Sequence, residues 1–447
     1  MELSNEQLSI IREHREQQEP QERITSSDWM KQLQKTQNGR NISNAFNTLL
    51  IFQNDENLKG KFAYNLLSHK IEVEGKVPWK RSDTSSNEMT DYDDSCLRNY
   101  LSLNYDIKGK DLVYDTINQI VMENSYHPIR DYLNGLRGTW DGIPRLDTLI
   151  IDFFDAEDTV LNRYMSRLTF VGAVKRALEP GCKMDYVLVL KGPQGIGKST
   201  FMQEIAVKAQ WFSDSLDDIR GKEAKEQIQG KWIIELGEMA AVSKGDQKRL
   251  KQFITSTTDE FRQAYGRRNK RYPRQCIFVA TTNDDLPLKD DTGGRRWWII
   301  DVNGKWLEKD IPLEVDQIWA EAMYVFEEMK ASGVPLKLPN HLEKEANRIQ
   351  AENTDKGEFA SIIEEVLTRG YIEQNTFEGI KKVPINETCS LHVWEKVLGR
   401  HRNDFSSARG REIKAILNSV DDWVPVSNKR TKFGDYGKQF VYRRKDH

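Results

Sequence analysis

At 447 residues the chain is long enough for several domains of about 100–200 residues each, which excludes a peptide or a single small module. Its 38% hydrophobic and 30% charged residues are those of a globular protein, and a net charge of −3 means that any polyanionic partner must be met by local basic patches. No run of about 18 apolar residues is present to cross a membrane, and the opening residues lack the basic-then-apolar build of a secretion signal, so the expectation is a cytoplasmic protein with no membrane partner. Cys96, Cys182, Cys276 and Cys389 lie far apart with no C-x-x-C pair, and read as reduced structural thiols.

Residues 1–25 are rich in Glu, Gln and Arg and read as a flexible arm. A mostly helical domain is expected over 26–150, beginning with Trp29, Leu33, Ile42, Phe46, Leu49 and Leu50 at helical spacing. The acidic run Asp91 to Asp94 precedes Leu97, Tyr100 and Leu101, and reads as a helix start in which carboxylates satisfy free amides and the dipole, in preference to a metal site. The segment Trp140 to Asp147, WDGIPRLD, is turn-rich, and Leu161 to Leu178 then reads as one long helix.

The core expected over 151–345 is α/β. Asp185 to Leu190 is a short apolar run of buried-strand type that leads into Gly192-Pro193-Gln194-Gly195-Ile196-Gly197-Lys198-Ser199, followed by Thr200. This is G-x-x-x-x-G-K-S between a strand and a helix. The glycines let backbone N–H groups close on phosphate oxygens, Lys198 reaches the β- and γ-phosphates, and Ser199 ligates magnesium. ATP and Mg²⁺ are therefore the expected ligands. A second buried strand, Trp232 to Leu236, carries Glu235, which calls for a partner such as hydrated Mg²⁺ or a basic side chain because carboxylates are rarely buried alone. Glu238, just past Gly237, is assigned the base that activates the attacking water, and Glu235 the magnesium side; the order of the two is open to reversal. A third strand, Cys276 to Ala280, ends in Thr281, Thr282 and Asn283, where a polar side chain can meet the γ-phosphate or the water. After it, Arg295 and Arg296 follow two glycines, and such guanidinium groups can reach a neighbouring subunit's γ-phosphate.

Two basic patches stand out. Between Phe261 and Arg274 lie Arg262, Arg267, Arg268, Lys270, Arg271 and Arg274 with no acid among them. These cations suit successive phosphates of a single strand, with Phe261, Tyr265 and Tyr272 available to stack on unpaired bases. Lys251, on the helix after the second strand, is a lesser candidate for such a contact and reads better as a surface lysine. Over 346–447 three helical stretches, Phe359 to Leu367, Leu391 to Leu398 and Arg409 to Val420, precede a hairpin-like basic run. That order looks like a winged helix, in which Lys429, Arg430 and Lys432 would touch the phosphates of duplex DNA.

Several ordered blocks, from about Gly39 to Asp301, carry a family likeness: GRNISNAFNTLLIF, FAYNLL, WDGIPRLD, VGAVKRALEPGCKMDYVLVLKGPQGIGKST, KWIIELGEM, DEFRQAYGRR, FVATTN and DDTGGRRWWII. In these the chain resembles the virulence-associated protein E family of phage and mobile-element proteins, related to superfamily 3 helicases and to poxvirus-type primase-helicases. The resemblance implies an AAA+ ATPase core, a homo-hexameric ring, and ATP-driven DNA unwinding during replication of a mobile element. It implies that Gly192 to Ser199 are the Walker A motif, that Glu238 lies in the Walker B block, that Asn283 is sensor 1, and that Arg295 and Arg296 stand at the arginine-finger position. It also implies that the basic hairpin projects into the ring channel. One departure is visible: Gly237 precedes Glu238 where many AAA+ motifs carry an adjacent acid. No primase domain is recognisable before residue 180, so only the helicase half is expected. An ATP-switched DNA-binding or interference protein, whose hydrolysis drives assembly, is the alternative reading.

Overall fold

The computed structural model describes residues 28–82, 85–216, 219, 221–237, 244–262, 268–284, 296–304, 311–353, 359–376, 379–420 and 422–445. Among the described residues no helix is long and apolar enough to cross a membrane. The chain divides into two compact units, one built on the residues up to Gly135 with Gln229–Lys231, the other on Leu136–Ile228 and the chain from Trp232 onward.

The first unit contains α1 (Ala45–Asn54), β1 (Phe62–Asn65), β2 (Lys70–Val73), α2 (Asp91–Tyr105), α3 (Lys110–Glu123), β3 (Ser125–Tyr126) and α4 (Pro128–Gly135). The helical period is realised, but a small sheet in the order β2-β1-β3 is added to it. Strands this short offer too few residues for an alternating pattern to register. The acidic run does start a helix. Thr90 and Asp93 cap α2 reciprocally, Asp93 N–H donating to Thr90 Oγ1 at 3.3 Å and Thr90 N–H to Asp93 Oδ2 at 3.0 Å. Trp79 Nε1 donates to the same buried carboxylate at 2.9 Å, so one side chain ends a loop and begins a helix. The core of this unit gathers Ile51, Phe52, Phe62, Leu97, Leu101, Ile117 and Val121, each contributing about 1.5–3 kcal/mol by burial.

The second unit is α/β. Its elements are α5 (Leu149–Phe154), α6 (Val160–Leu178), β4 (Val187–Lys191), α7 (Lys198–Ile205), β5 (Phe212–Ser213), α8 (Gly221–Gln227), β6 (Ile233–Leu236), α9 (Lys244–Thr255), β7 (Thr258–Phe261), β8 (Lys270–Pro273), β9 (Ile277–Thr282), β10 (Trp297–Asp301) and α10 (Ile311–Ser332). Five of the strands form a wholly parallel sheet in the order β10-β4-β9-β6-β5. Parallel strands need cover on both faces, which explains their unbroken apolar runs. On one face Val187, Val189, Ile234, Leu236, Phe278 and Ile299 pack with Ala224 of α8, with Ile228 just past its end, and with Leu250 and Ile254 of α9. On the other, Trp232 Nε1 donates to the Ala173 carbonyl of α6 at 3.0 Å and its ring stacks on Trp319 of α10 at 4.1 Å. Trp319 Nε1 in turn donates to the Ile205 carbonyl at 2.8 Å, locking the end of α7.

The WDGIPRLD turn is clamped within this unit. Arg145 pairs with both oxygens of Asp141 at 2.8 Å, which holds that carboxyl at about 2. The Arg145 and Leu146 N–H groups donate to Glu321 Oε2 of α10 at 2.6 and 3.0 Å, and Asp147 pairs with Arg167 of α6. Burial pushes the Glu321 carboxyl up. All four cysteines are free thiols.

The chain continues with α11 (Asn340–Glu352), α12 (Ala360–Arg369), β11 (Tyr371–Thr376), β12 (Gly379–Pro384), β13 (Glu387–Cys389), α13 (Ser390–His392), a π-helical turn over Val393–Val397, α14 (Ser407–Ser419), β14 (Trp423–Pro425), β15 (Thr431–Lys432), β16 (Lys438–Gln439) and β17 (Val441–Arg444). An antiparallel sheet ordered β13-β17-β14 packs with α12 and α14 around Ile363, Leu367, Trp394, Ile413, Leu417, Trp423 and Tyr442. The three helical stretches read from the sequence are present, whereas the β11–β12 hairpin was not foreseen.

Candidate functional site

β4 runs between β10 and β9 and ends at the glycine loop. Gly192 is required there by space: a Cβ would lie 2.0 Å from the Val302 carbonyl oxygen, while its N–H donates to the Thr282 carbonyl at 3.0 Å. Gly195 and Gly197 are required by conformation, with φ of +79° and +88° in the left-handed region. Ile196 is buried and anchors the loop, whereas Pro193 and Gln194 are exposed. Gly197 hands the chain to α7, whose free N–H groups at Lys198, Ser199 and Thr200 form an anion-accepting end. Lys198 is buried and donates to the Gly192 and Pro193 carbonyls at 2.9 and 2.7 Å. Burial lowers its pKa, and the nearby Glu235 carboxylate offsets part of that.

Glu235 is 2% exposed in the middle of the sheet. Its Oε1 accepts from Ser199 Oγ at 2.7 Å and from Thr281 Oγ1, while its Oε2 is buried and has no hydrogen-bond partner among the described residues. Of the two sequence-level readings for this acid, a salt bridge is not what the described residues form: the partners are hydroxyls. Interposing β9 between β4 and β6 is what brings Thr281 to Glu235, because the sheet order sets the β9 tip between the glycine loop and the acid. An orphaned carboxylate oxygen beside a serine hydroxyl is an all-oxygen donor set that fits a hard cation such as Mg²⁺. Among the described residues no group of three or more His, Cys, Asp or Glu side chains forms a metal cage, so phosphate oxygens of a bound nucleotide would have to complete the coordination.

A cleft of about 520 Å³ opens over this constellation. It is lined by Gln194, Gly195, Gly197, Lys198, Ser199, Thr200, Glu235, Gly237, Thr281, Thr282 and Asn283, and also by Asp214, which sequence reasoning missed. A Cβ at Gly237 would meet no atom within 4 Å, so no steric demand excludes a side chain at that point. Glu238 and Arg295 lie outside the described residues. Arg296 is half-buried immediately before β10. Since β10 runs parallel to β4 with Trp297 opposite Val187, Arg296 sits at the opposite end of the sheet from the glycine loop, about 20 Å along the strand from Gly192 at 3.3 Å per residue. It does not reach the cleft of its own chain.

The basic segment forms the antiparallel hairpin β7–β8. Arg262, Arg268, Lys270 and Arg271 are exposed, Arg271 lying 3.5 Å from Glu260; Arg267 and Tyr265 lie outside the described residues. Three expectations are corrected here. Phe261 and Tyr272 are buried and stacked on each other at 4.4 Å, so they are not available to unpaired bases. Arg274 is not part of the exposed patch: with 1% of its side chain exposed it pairs with both oxygens of the equally buried Asp259, at 2.7 and 2.8 Å, and lies over the Phe253 ring at 4.4 Å. Lys251 is buried rather than a surface lysine. The signal that a closer reading offers is the alternation Thr258-Asp259-Glu260-Phe261, which puts Asp259 on the same face as Phe261. In the C-terminal part Lys429, Arg430 and Lys432 are exposed, with the Arg430 guanidinium 5.6 Å from the Phe440 ring and Lys414 Nζ 3.6 Å from it.

The model of the virulence-associated protein E-like domain matches residues 133–355, which include every element of the cleft. No curated protein matches the chain significantly. Among solved structures, the A-form apo structure of the NrS-1 C-terminal region is 12% identical, with 86% of this chain and 96% of that chain covered and a TM-score of 0.43. A second apo structure of the same region is 14% identical, covering 81% and 84%, with a TM-score of 0.40. With its glycine loop, buried acid and β9 tip all inside the matched segment, the chain belongs, through residues 133–355, to the virulence-associated protein E-like family.

Proposed function

We propose that the protein is an ATP hydrolase of the AAA+ kind that works as a superfamily 3-like DNA helicase in the replication of a phage or mobile element. The observation that carries this reading is the convergence of Lys198, Ser199, Glu235 and Thr281 on one cleft at the C-terminal ends of parallel strands. Backbone N–H groups of the loop and of α7 receive the β-phosphate, and the Lys198 ammonium exchanges its loop carbonyls for phosphate oxygens. Ser199 and Glu235 would hold Mg²⁺, which supplies charge neutralisation of the phosphates. Asn283 hydrogen-bonds the attacking water or the γ-phosphate, and Glu238 takes the proton of that water. The distance of Arg296 from its own cleft supports a role for the Arg295–Arg296 pair toward a neighbouring subunit in a hexameric ring. Arg262, Arg267, Arg268, Lys270 and Arg271 would grip a single strand through its phosphates, and a winged-helix-like region over 346–447 would touch duplex DNA through Lys429, Arg430 and Lys432. The helical region 26–150 and the ATPase core 151–345 complete the proposed division.

One observation favours the second reading, an ATP-switched DNA-binding or interference protein. With Phe261 and Tyr272 buried, the hairpin lacks two of the three aromatics that base stacking would use, and phosphate contacts alone serve a switch as well as a motor. Strand displacement on a forked duplex, with DNA-stimulated ATP hydrolysis followed in parallel, separates the two. Wild type is expected to unwind, Lys198→Ala to lose both activities, and Arg268→Ala/Lys270→Ala to keep basal hydrolysis while losing unwinding. Hydrolysis without strand separation on either 3′- or 5′-tailed forks would falsify the helicase reading and leave the switch.

A further inference from the structure

We propose that Asp214 supplies the second carboxylate of the nucleotide cleft, entering from the neighbouring strand to hold a divalent cation together with Glu235. The inference rests on the nucleotide-hydrolysing reading of that cleft. β5 and β6 pair in parallel with Phe212 opposite Ile233 and Ser213 opposite Ile234. The next residues in that register are Asp214 and Glu235. Paired residues of parallel strands project from the same face with their backbones about 4.8 Å apart, so the two carboxylates share one side of the sheet. Both line the cleft with Ser199 and Gly237.

Three features turn this juxtaposition into a ligand argument. Glu235 is 2% exposed, and its Oε2 is buried without a hydrogen-bond partner among the described residues. Leaving a buried carboxylate oxygen unsatisfied is costly, and a cation at that oxygen removes the cost. Next, position 237, immediately past β6 and before Glu238, is a glycine held there by no steric need, so no second carboxylate stands at that point. Finally, two like charges on one face of adjacent strands repel unless a dication lies between them. Magnesium commonly takes one or two carboxylates and completes its shell with water and substrate phosphates, which matches a set of Ser199, Glu235 and Asp214. Asp214 is exposed at the end of the edge strand β5, so the cation can exchange from solvent on that flank.

The test is Mn²⁺ binding, followed by electron paramagnetic resonance in the presence of a non-hydrolysable ATP analogue, on the full chain. Asp214→Ala is expected to weaken Mn²⁺ about tenfold while leaving analogue affinity in EDTA unchanged, and Asp214→Glu is expected to restore part of the loss. Glu235→Gln, run alongside, is expected to weaken Mn²⁺ at least as much. Mn²⁺ affinity within twofold of wild type in Asp214→Ala, with the loss seen only in Glu235→Gln, overturns the assignment of Asp214 and leaves the cleft's nucleotide reading standing. Absence of analogue binding by wild type removes that reading and the proposal with it.

Discussion

Truncating Asp259 tests whether Arg274 is a core residue or a DNA contact. Both side chains are 1% exposed, and Arg274 Nε and Nη2 donate to the two Asp259 oxygens at 2.7 and 2.8 Å. In Asp259→Ala the guanidinium keeps its donation to the Phe253 carbonyl and its place over the Phe253 ring, so it is held inside with its counter-charge gone. Breaking a buried pair in this way costs about 3–5 kcal/mol, a large share of a total stability of about 5–15 kcal/mol. At a urea slope of about 3 kcal/mol/M the midpoint should fall by about 1.3 M, read from the fluorescence of the buried tryptophans Trp232, Trp297 and Trp298. Replacing both partners, Asp259→Leu with Arg274→Met, removes the charges together and should return the midpoint to near wild type. The same variant should keep the salt dependence of single-stranded DNA binding, whereas Arg268→Ala/Lys270→Ala should flatten the log–log slope by about 1.4. A loss below about 1 kcal/mol in Asp259→Ala, or a flattened slope in the double core variant, would refute the reasoning.

Gly192→Ala should lose nucleotide-analogue binding and lower the melting temperature, because its Cβ would lie 2.0 Å from a backbone carbonyl, while Gly237→Ala, with no atom within 4 Å, should change stability by less than about 0.5 kcal/mol. Equal effects of the two in calorimetry would mean that the close approach of Val302 to the loop does not exist in solution. Burial raises the Glu321 carboxyl above its unfolded value of about 4.3, so the folded state holds the proton more tightly and this group's contribution to stability declines as pH rises from there. Glu321→Gln keeps an acceptor for the Arg145 and Leu146 N–H groups, and urea midpoints from pH 4 to 7 should show a variant that gains on wild type as pH rises. A difference that stays constant with pH would show that burial does not govern this carboxyl.

The glycine loop was legible because all its parts are contiguous: β4, the turn and α7 follow one another, and the left-handed positions fall on glycines. The same holds for α6 at Val160–Leu178 and for the acidic start of α2, where capping partners lie three residues apart. Hydrogen bonds and periodicity of that range are carried by the local chain, so pattern alone suffices to read them. The rest depended on which strands became neighbours. Glu235 could be read as buried, but not as the acceptor of Ser199 and Thr281, since those contacts span 36 and 46 residues and exist only because β9 is inserted beside β6. Asp214 carried no sequence signal at all; it lines the cleft because it follows the edge strand β5, which pairs with β6. The basic run from Phe261 to Arg274 looked uniform, yet Arg274 and two of the aromatics turned inward. A charge run states how many cations are present, but which of them is exposed is settled by partners distant in sequence, here Asp259 and the ring of Phe253, which only the packed sheet and hairpin bring within reach.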